Sequence, residues 1–182
     1  MLIYNINIVS IILIILLFVF YGLYFYRSRA RLSEWKTFEA PDRKFKIEVQ
    51  GILKHKNYSH LSGQIIDTYL SKSVIENYVV LATTYVKTAD ISDVDALLNR
   101  ELNNVVVGKN NNKIISSDMG YVGKYRSVDY LMQYLGHKDR YARGKMILAG
   151  QTLYNLTVSY RERDYNENDY NRFINSFTIQ QV

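Results

Sequence analysis

The apolar and polar positions of this chain divide it into two unlike parts. Residues 8–26 form nineteen almost wholly apolar positions, broken only by Ser10 and Gly22. No polar stripe runs through them at helical spacing. They therefore predict a helix that is apolar all round, rather than one lying on the surface of a domain. At 1.5 Å per residue it would reach about 28 Å, close to the thickness of bilayer hydrocarbon. Tyr21, Tyr24 and Tyr26 gather at its C-terminal end, where amphipathic rings favour the headgroup level. Arg27, Arg29 and Arg31 follow and stop the insertion. A retained single-span anchor fits better than a cleaved signal peptide. The opening MLIYNIN has no Lys or Arg, the apolar run is longer than a usual leader core, and no small-x-small cleavage site follows.

Beyond residue 34 the period changes. Phe45, Ile47 and Val49 alternate with Lys44, Lys46 and Glu48, the pattern of a half-buried strand. Two short strands, 35–38 and 44–49, are expected around a turn at 40–43. The basic, polar stretch 51–60 reads as a loop, and 63–71 and 77–87 read as two longer strands rich in β-branched residues. Ser92 then reads as a helix cap, with Asp95 at the capping-box position. Val94, Leu97, Leu98, Leu102 and Val105 fall on one stripe of that helix, and Gly108 ends it. Strands follow at 113–119, 124–135, 141–150 and 152–160, the middle pair joined by the turn 136–139. Asn166 or Asn168 opens a last helix with Tyr170, Phe173, Ile174 and Phe177 on one face. Short turns between consecutive strands argue for a mainly antiparallel sheet, and two amphipathic helices need it as a partner. The fold class is therefore α+β, a sheet packed by two or more helices. The expected organisation is a tail (1–7), a transmembrane helix (8–26), a basic linker (27–34) and one globular domain (35–182).

The ordered motifs resemble the PsbP/Mog superfamily of α/β/α sandwich domains. The matching parts are an aromatic opening strand (Trp35, Phe38) with a short hairpin and Phe45, and a small Gly turn at 119–125. A Tyr-x-Leu-x-Val strand (Tyr154, Leu156, Val158) and a helix ending Phe-x-x-Ser-Phe (Phe173, Ser176, Phe177) complete them. The Gly turn departs from the pattern, with Val122 where a Pro is expected. The resemblance implies a sandwich fold and a mostly non-enzymatic role. Some members dock on photosystem II, one binds the Ran GTPase, and others are bacterial envelope proteins. It carries over no specific site. The Tim21-like accessory domains share the tethered architecture but not the motifs.

Charge places the domain relative to the membrane. The chain carries a formal +6, and residues 27–36 alone carry +3. By the positive-inside rule the C-terminal domain lies on the cytoplasmic, matrix or stromal side. Beyond residue 36 there are 19 basic and 16 acidic residues, too weak a field for nucleic acid. The absence of cysteine excludes a disulfide scaffold, a thiol nucleophile and a Cys-held metal. His55 and His60 share a stretch without metal geometry, and no Walker loop, Gly-x-Gly-x-x-Gly or nucleophile elbow occurs. No cofactor and no metal is expected. Glu162, Asp164, Glu167 and Asp169 are interleaved with Arg161, Arg163 and Arg172, which favours mutual pairing over calcium.

One row suggests a contact surface. In the strand 141–150, Ala142, Met146 and Leu148 face the core, so Tyr141, Arg143 and Lys145 project from the other face. Tyr interleaved with basic groups suits an acidic partner or lipid headgroups. The expected function is a membrane-anchored, non-enzymatic binding or scaffold module, an accessory subunit of a larger membrane protein assembly. The alternative is a tethered carrier of a lipid or small molecule. The expected partners are membrane lipids, through Tyr21, Tyr24, Tyr26 and the three arginines, and one or more membrane-complex proteins.

Overall fold

The computed structural model describes residues 14–24, 33–42, 44–59, 65–73, 76–85, 91–107 and 112–180. Residues 14–24 are helical (α1) and exposed along their whole length. Among the described residues no helix is long and apolar enough to cross a membrane. The remaining parts of the expected span, with Tyr26, Arg27, Arg29 and Arg31, lie outside the described residues.

Ten strands follow among the described residues, all paired antiparallel. β1 (Trp35–Glu39), β2 (Phe45–Gln50) and β10 (Thr178–Ile179) form a small sheet in the order β1-β2-β10. The larger sheet has seven strands. They are β3 (Lys54–Ser59), β4 (Ile65–Lys72), β5 (Asn77–Thr84), β6 (Lys113–Val122), β7 (Tyr125–Gln133), β8 (Arg140–Ala149) and β9 (Thr152–Arg161). Their order is β3-β4-β5-β9-β8-β7-β6. The helices α2 (Val94–Val107) and α3 (Glu167–Asn175) complete the domain.

The alternation that marks each strand also decides which layer it meets. Even positions of β5 and β9 carry Tyr78, Val80, Tyr154, Leu156 and Val158 into one core. The small sheet meets them there with Phe45, Ile47 and Val49, and α3 meets them with Tyr170, Phe173 and Ile174. The other face of the sheet meets α2, where Leu97, Leu98 and Leu102 pack on Val128, Met132, Met146 and Leu148. The large sheet is thus covered on both faces, and β9, at its centre, is buried from Leu153 to Val158.

Two expectations shift in the structure, and a choice left open between two residues is decided. The stretch read as a loop at 51–60 contains β3, paired with β4 along all six residues. Its sequence KHKNYS has no apolar alternation; it is an edge strand, paired on one side only with β4. The cap of α2 is Asp93, not Ser92: its side chain accepts the Ala96 N–H at 2.9 Å, and its carbonyl accepts that of Leu97. A carboxylate there satisfies an orphan N–H and also meets the positive end of the helix dipole. Asn166 caps α3 by accepting from the N–H groups of Asn168 and Asp169, so of the two expected asparagines it is the earlier.

Glu76, between β4 and β5, is 1% exposed. The Tyr78 hydroxyl donates to one of its carboxyl oxygens. Burial pushes its pKa up from the ordinary 4.5; the Tyr78 hydroxyl and the Asn166 backbone N–H oppose this, and the nearby Asp169 and Asp164 add to the rise. A raised folded-state pKa means stability that is full below the ordinary value and is lost as pH rises through the folded one. Glu76→Gln removes the titration. Denaturant unfolding should therefore show the variant more stable than the parent at neutral pH, with the gap closing below pH 4.5. A gap that widens in acid would reverse the sign of this argument.

Candidate functional site

The hairpin β6–β7 and the turn between β8 and β9 end beside the N-terminus of α2. Gly123 (φ +57°) and Gly150 (φ +59°) make the two turns in the left-handed region that side chains rarely adopt. Between them opens a cleft of about 700 Å³, lined by Ile91, Val94 and Leu148 on its apolar side and by Asp95, Tyr121 and Arg126 on its polar side. Arg126, on β7, donates to both oxygens of Asp95 on α2, at 2.7 and 2.8 Å. A third bond runs from its Nη1 to the Gly120 carbonyl at 3.4 Å. This hydrogen bonding holds the Asp95 carboxyl below its ordinary range. With its planar fork filled, the Arg126 guanidinium lies 4.7 Å from the ring centre of Tyr121, which is 67% exposed. Lys124 stands at the rim, its Nζ 5.4 Å from the Tyr125 ring.

This arrangement suits recognition. The ion pair neutralises itself and fixes a guanidinium under an exposed ring. A tyrosine held in that way offers a large contact area with little conformational entropy left to lose. Lys124 adds a positive rim. Among the described residues no cluster of three or more His, Asp or Glu has metal-site geometry. His55 accepts or donates a 2.9 Å bond with Asp67 and stacks on Tyr69, and His60 lies outside the described residues.

Tyr141, Arg143 and Lys145 do share one face of β8, opposite Ala142, Met146 and Leu148. At Arg143 that face is partly covered, because α3 reaches it. The Arg143 guanidinium lies 4.5 Å from the Tyr170 ring centre, donates to the Tyr165 hydroxyl and pairs with Glu167 at 3.5 Å. Lys145 pairs with Asp129 at 3.4 Å, and Tyr141 stacks with Tyr160. Arg143 thus joins the sheet to α3, while Lys145 and Tyr141 pair within the sheet; the Arg143 side chain is 38% exposed and that of Lys145 19%. Of the interleaved acids and arginines, only Asp164 and Arg163 pair with each other among the described residues; Glu167 pairs instead with Arg143, Asp169 accepts from Gln50 and Arg172 pairs with Glu48, so the mutual pairing expected from the sequence is mostly replaced by contacts to β2 and β8. Of the expected membrane-interface residues, Tyr21 and Tyr24 are described and exposed.

Sequence reasoning missed the cleft. Asp95 and Arg126 are 31 positions apart, and no spacing rule links a helix start to a strand start across that distance. Only the small Gly turn at 119–125 marked the place.

The class of fold is now defined: an antiparallel α+β sandwich that is PsbP-like. The cyanobacterial PsbP (CyanoP) of Synechocystis sp. PCC 6803 superposes with a TM-score of 0.56 at 11% identity, over 81% of this chain and 94% of that one. Two other solved chains match with a TM-score of 0.48. One, from Bacteroides thetaiotaomicron VPI-5482, has 11% identity over 80% of this chain and 48% of that one. The other, protein PA94 of Pseudomonas aeruginosa, has 8% identity over 82% and 99%. No family model and no curated protein matches the chain.

Proposed function

We propose that the chain is a membrane-anchored, non-enzymatic binding module, an accessory subunit that holds a PsbP-like domain at a bilayer for a larger membrane assembly. The observation that carries this reading is the uncharged run 8–26 followed by Arg27, Arg29 and Arg31. The exposure of α1 supports it: Leu17, Phe18, Phe20 and Tyr24 are each more than 60% exposed, and such a helix needs an apolar cover. The tyrosines and arginines then sit at headgroup level, and the positive-inside rule puts the domain on the cytoplasmic, matrix or stromal side. Tethering raises the local concentration of the domain, so a small docking site suffices. The cleft with Tyr121, Lys124 and the fixed Arg126–Asp95 pair is the site we assign to the protein partner.

Two measurements test the reading. The full chain should stay with membranes through an alkaline wash, while a chain starting at Ser33 should be soluble and folded. If the shortened chain aggregates while the full chain in detergent does not, the span packs on the domain and is no simple tether. The full chain purified in mild detergent should also retain a stoichiometric partner. Tyr121→Ala with Lys124→Glu should weaken that partner by about tenfold or more, since exposed aromatic anchors carry much of an interface. Arg126 and Asp95 stay untouched, so the melting temperature should hold. Undiminished partner recovery would remove the cleft from the reading.

A further inference from the structure

The end of the sheet opposite the cleft has a composition of its own. Strand register brings it together: Lys54 pairs with Leu70, Lys72 with Asn77, Asn77 with Ser159, Arg140 with Arg161, and Lys113 with Gln133. The cations Lys54, Lys72, Lys113, Lys138, Arg140 and Arg161 are all exposed there. Among the described residues none of the six takes part in an ion pair. The acids at this end that reach the surface are fewer: Glu34 is held by Lys36, Asp164 is held by Arg163, and Asp139 and Glu162 are exposed, while Glu76 in the β4–β5 turn is buried. Two turns push apolar tips out among the cations. Gly51 (φ +82°) precedes Ile52, which is 66% exposed, and Gly136 (φ +88°) follows Leu135, which is 54% exposed.

The chain also enters the domain here, since the Gly51 N–H donates to the Glu34 carbonyl at 3.1 Å. Eight residues separate the apolar run from Glu34 inclusive, a reach of at most about 28 Å. A ten-residue strand such as β8 is about 33 Å long. The tether is thus shorter than the domain, and the end it enters is the one held nearest the bilayer.

We propose that this end docks on an anionic lipid surface, with Ile52 and Leu135 entering the headgroup layer and the six cations meeting lipid phosphates. Two apolar tips within a ring of unpaired Lys and Arg match such a surface: the cations supply attraction within a Debye length, and the tips supply burial. A protein patch of equal charge would offer no layer for isolated aliphatic tips to enter. The opposite end, where Asp42, Asp93 and Asp95 offset Lys44, Lys124 and Arg126, then faces away from the bilayer with the cleft open. The proposal rests on the anchored reading above, and its test separates the two.

The chain has no cysteine, so one introduced thiol gives one fluorescent label. Ile52→Cys, Leu135→Cys and, as the far-end reference, Ala96→Cys are made in the full chain. Each labelled protein is reconstituted in phosphatidylcholine vesicles with or without phosphatidylglycerol. Spin-labelled lipid should quench the labels at 52 and 135 about threefold more than that at 96, only with phosphatidylglycerol and less in high salt. Lys54→Glu, Lys72→Glu and Arg140→Glu together should abolish the difference. Chain that resists an alkaline wash but shows equal quenching at all three positions keeps the anchor and overturns the docking, leaving an acidic protein as the occupant. Chain that floats only with anionic vesicles, and is released by salt, supports the docking and overturns the anchor. Chain that floats with neither vesicle overturns both.

Discussion

Phe45→Ala lowers the stability of the domain by about 3–5 kcal/mol, read from denaturant unfolding, the range for a large aromatic lost from a full core. Phe45 is 1% exposed. Its ring centre lies 5.2 Å from Tyr69 on β4, 5.8 Å from Tyr154 on β9, 5.6 Å from Phe177 after α3, and 6.2 Å from Phe38 on β1. One ring therefore joins the small sheet to two strands of the large one and to the C-terminal segment. Removing it opens a cavity walled by strands that cannot collapse independently. Phe45→Leu, which keeps most of the volume, should cost about half as much or less. A loss below about 1 kcal/mol for the alanine variant would mean that the small sheet is not packed there.

The second large effect comes from adding one methyl group. Gly144→Ala on β8 should cost about 3 kcal/mol or more, because overpacking here meets groups with no room to move. A Cβ at 144 would stand 2.5 Å from the Leu156 carbonyl oxygen and 2.5 Å from the Tyr130 ring. Tyr130 cannot swing away freely. Its hydroxyl donates to Asn155 Oδ1 at 2.8 Å and bonds Thr157 Oγ1 at 2.6 Å, and all three groups are buried. Displacing it strands buried polar atoms, each worth about 1–3 kcal/mol. A double-mutant cycle checks the cause: in the Gly144→Ala background, Tyr130→Ala should cost less than it does alone. Additive costs would place the whole clash on the β9 backbone.

The elements legible in the sequence are those whose pattern reports a layer boundary. β2 alternates because one side meets the core and the other carries Lys46 and Glu48 toward solvent. The Tyr154, Leu156, Val158 strand and the Phe173, Ser176, Phe177 ending form one piece of structure. Ser176 donates to the Phe173 carbonyl and accepts the Glu48 N–H at 2.8 Å, clamping the end of α3 onto β2 so that both phenylalanines enter the core. Elements set by neighbours were not legible. β3 has no pattern of its own, and β10 is two residues that pair with Phe45 and Lys46. For Tyr141, Arg143 and Lys145 the sequence gives the parity. Whether that face is open depends on where α3 docks, which a local pattern does not hold. The Asp95–Arg126 pair is of the same kind, a contact created by tertiary structure and invisible to spacing.

The place of β9 sets the order in which the domain can be made. β6 through β9 are sequential hairpins, which form from local contacts. The β3-β4-β5 meander is synthesised first, yet its inner edge pairs only with β9, where Tyr78 meets Val158 and Ala82 meets Tyr154. Until β9 leaves the ribosome, β5 is an open edge carrying Val79, Val80 and Leu81. Such an edge is a template for wrong pairing, with another nascent chain or with its own hairpins. The emergence of β9, rather than of the strands before it, is therefore the step at which the large sheet closes. Truncations that stop short of residue 152 should be the ones that draw chaperones and proteases.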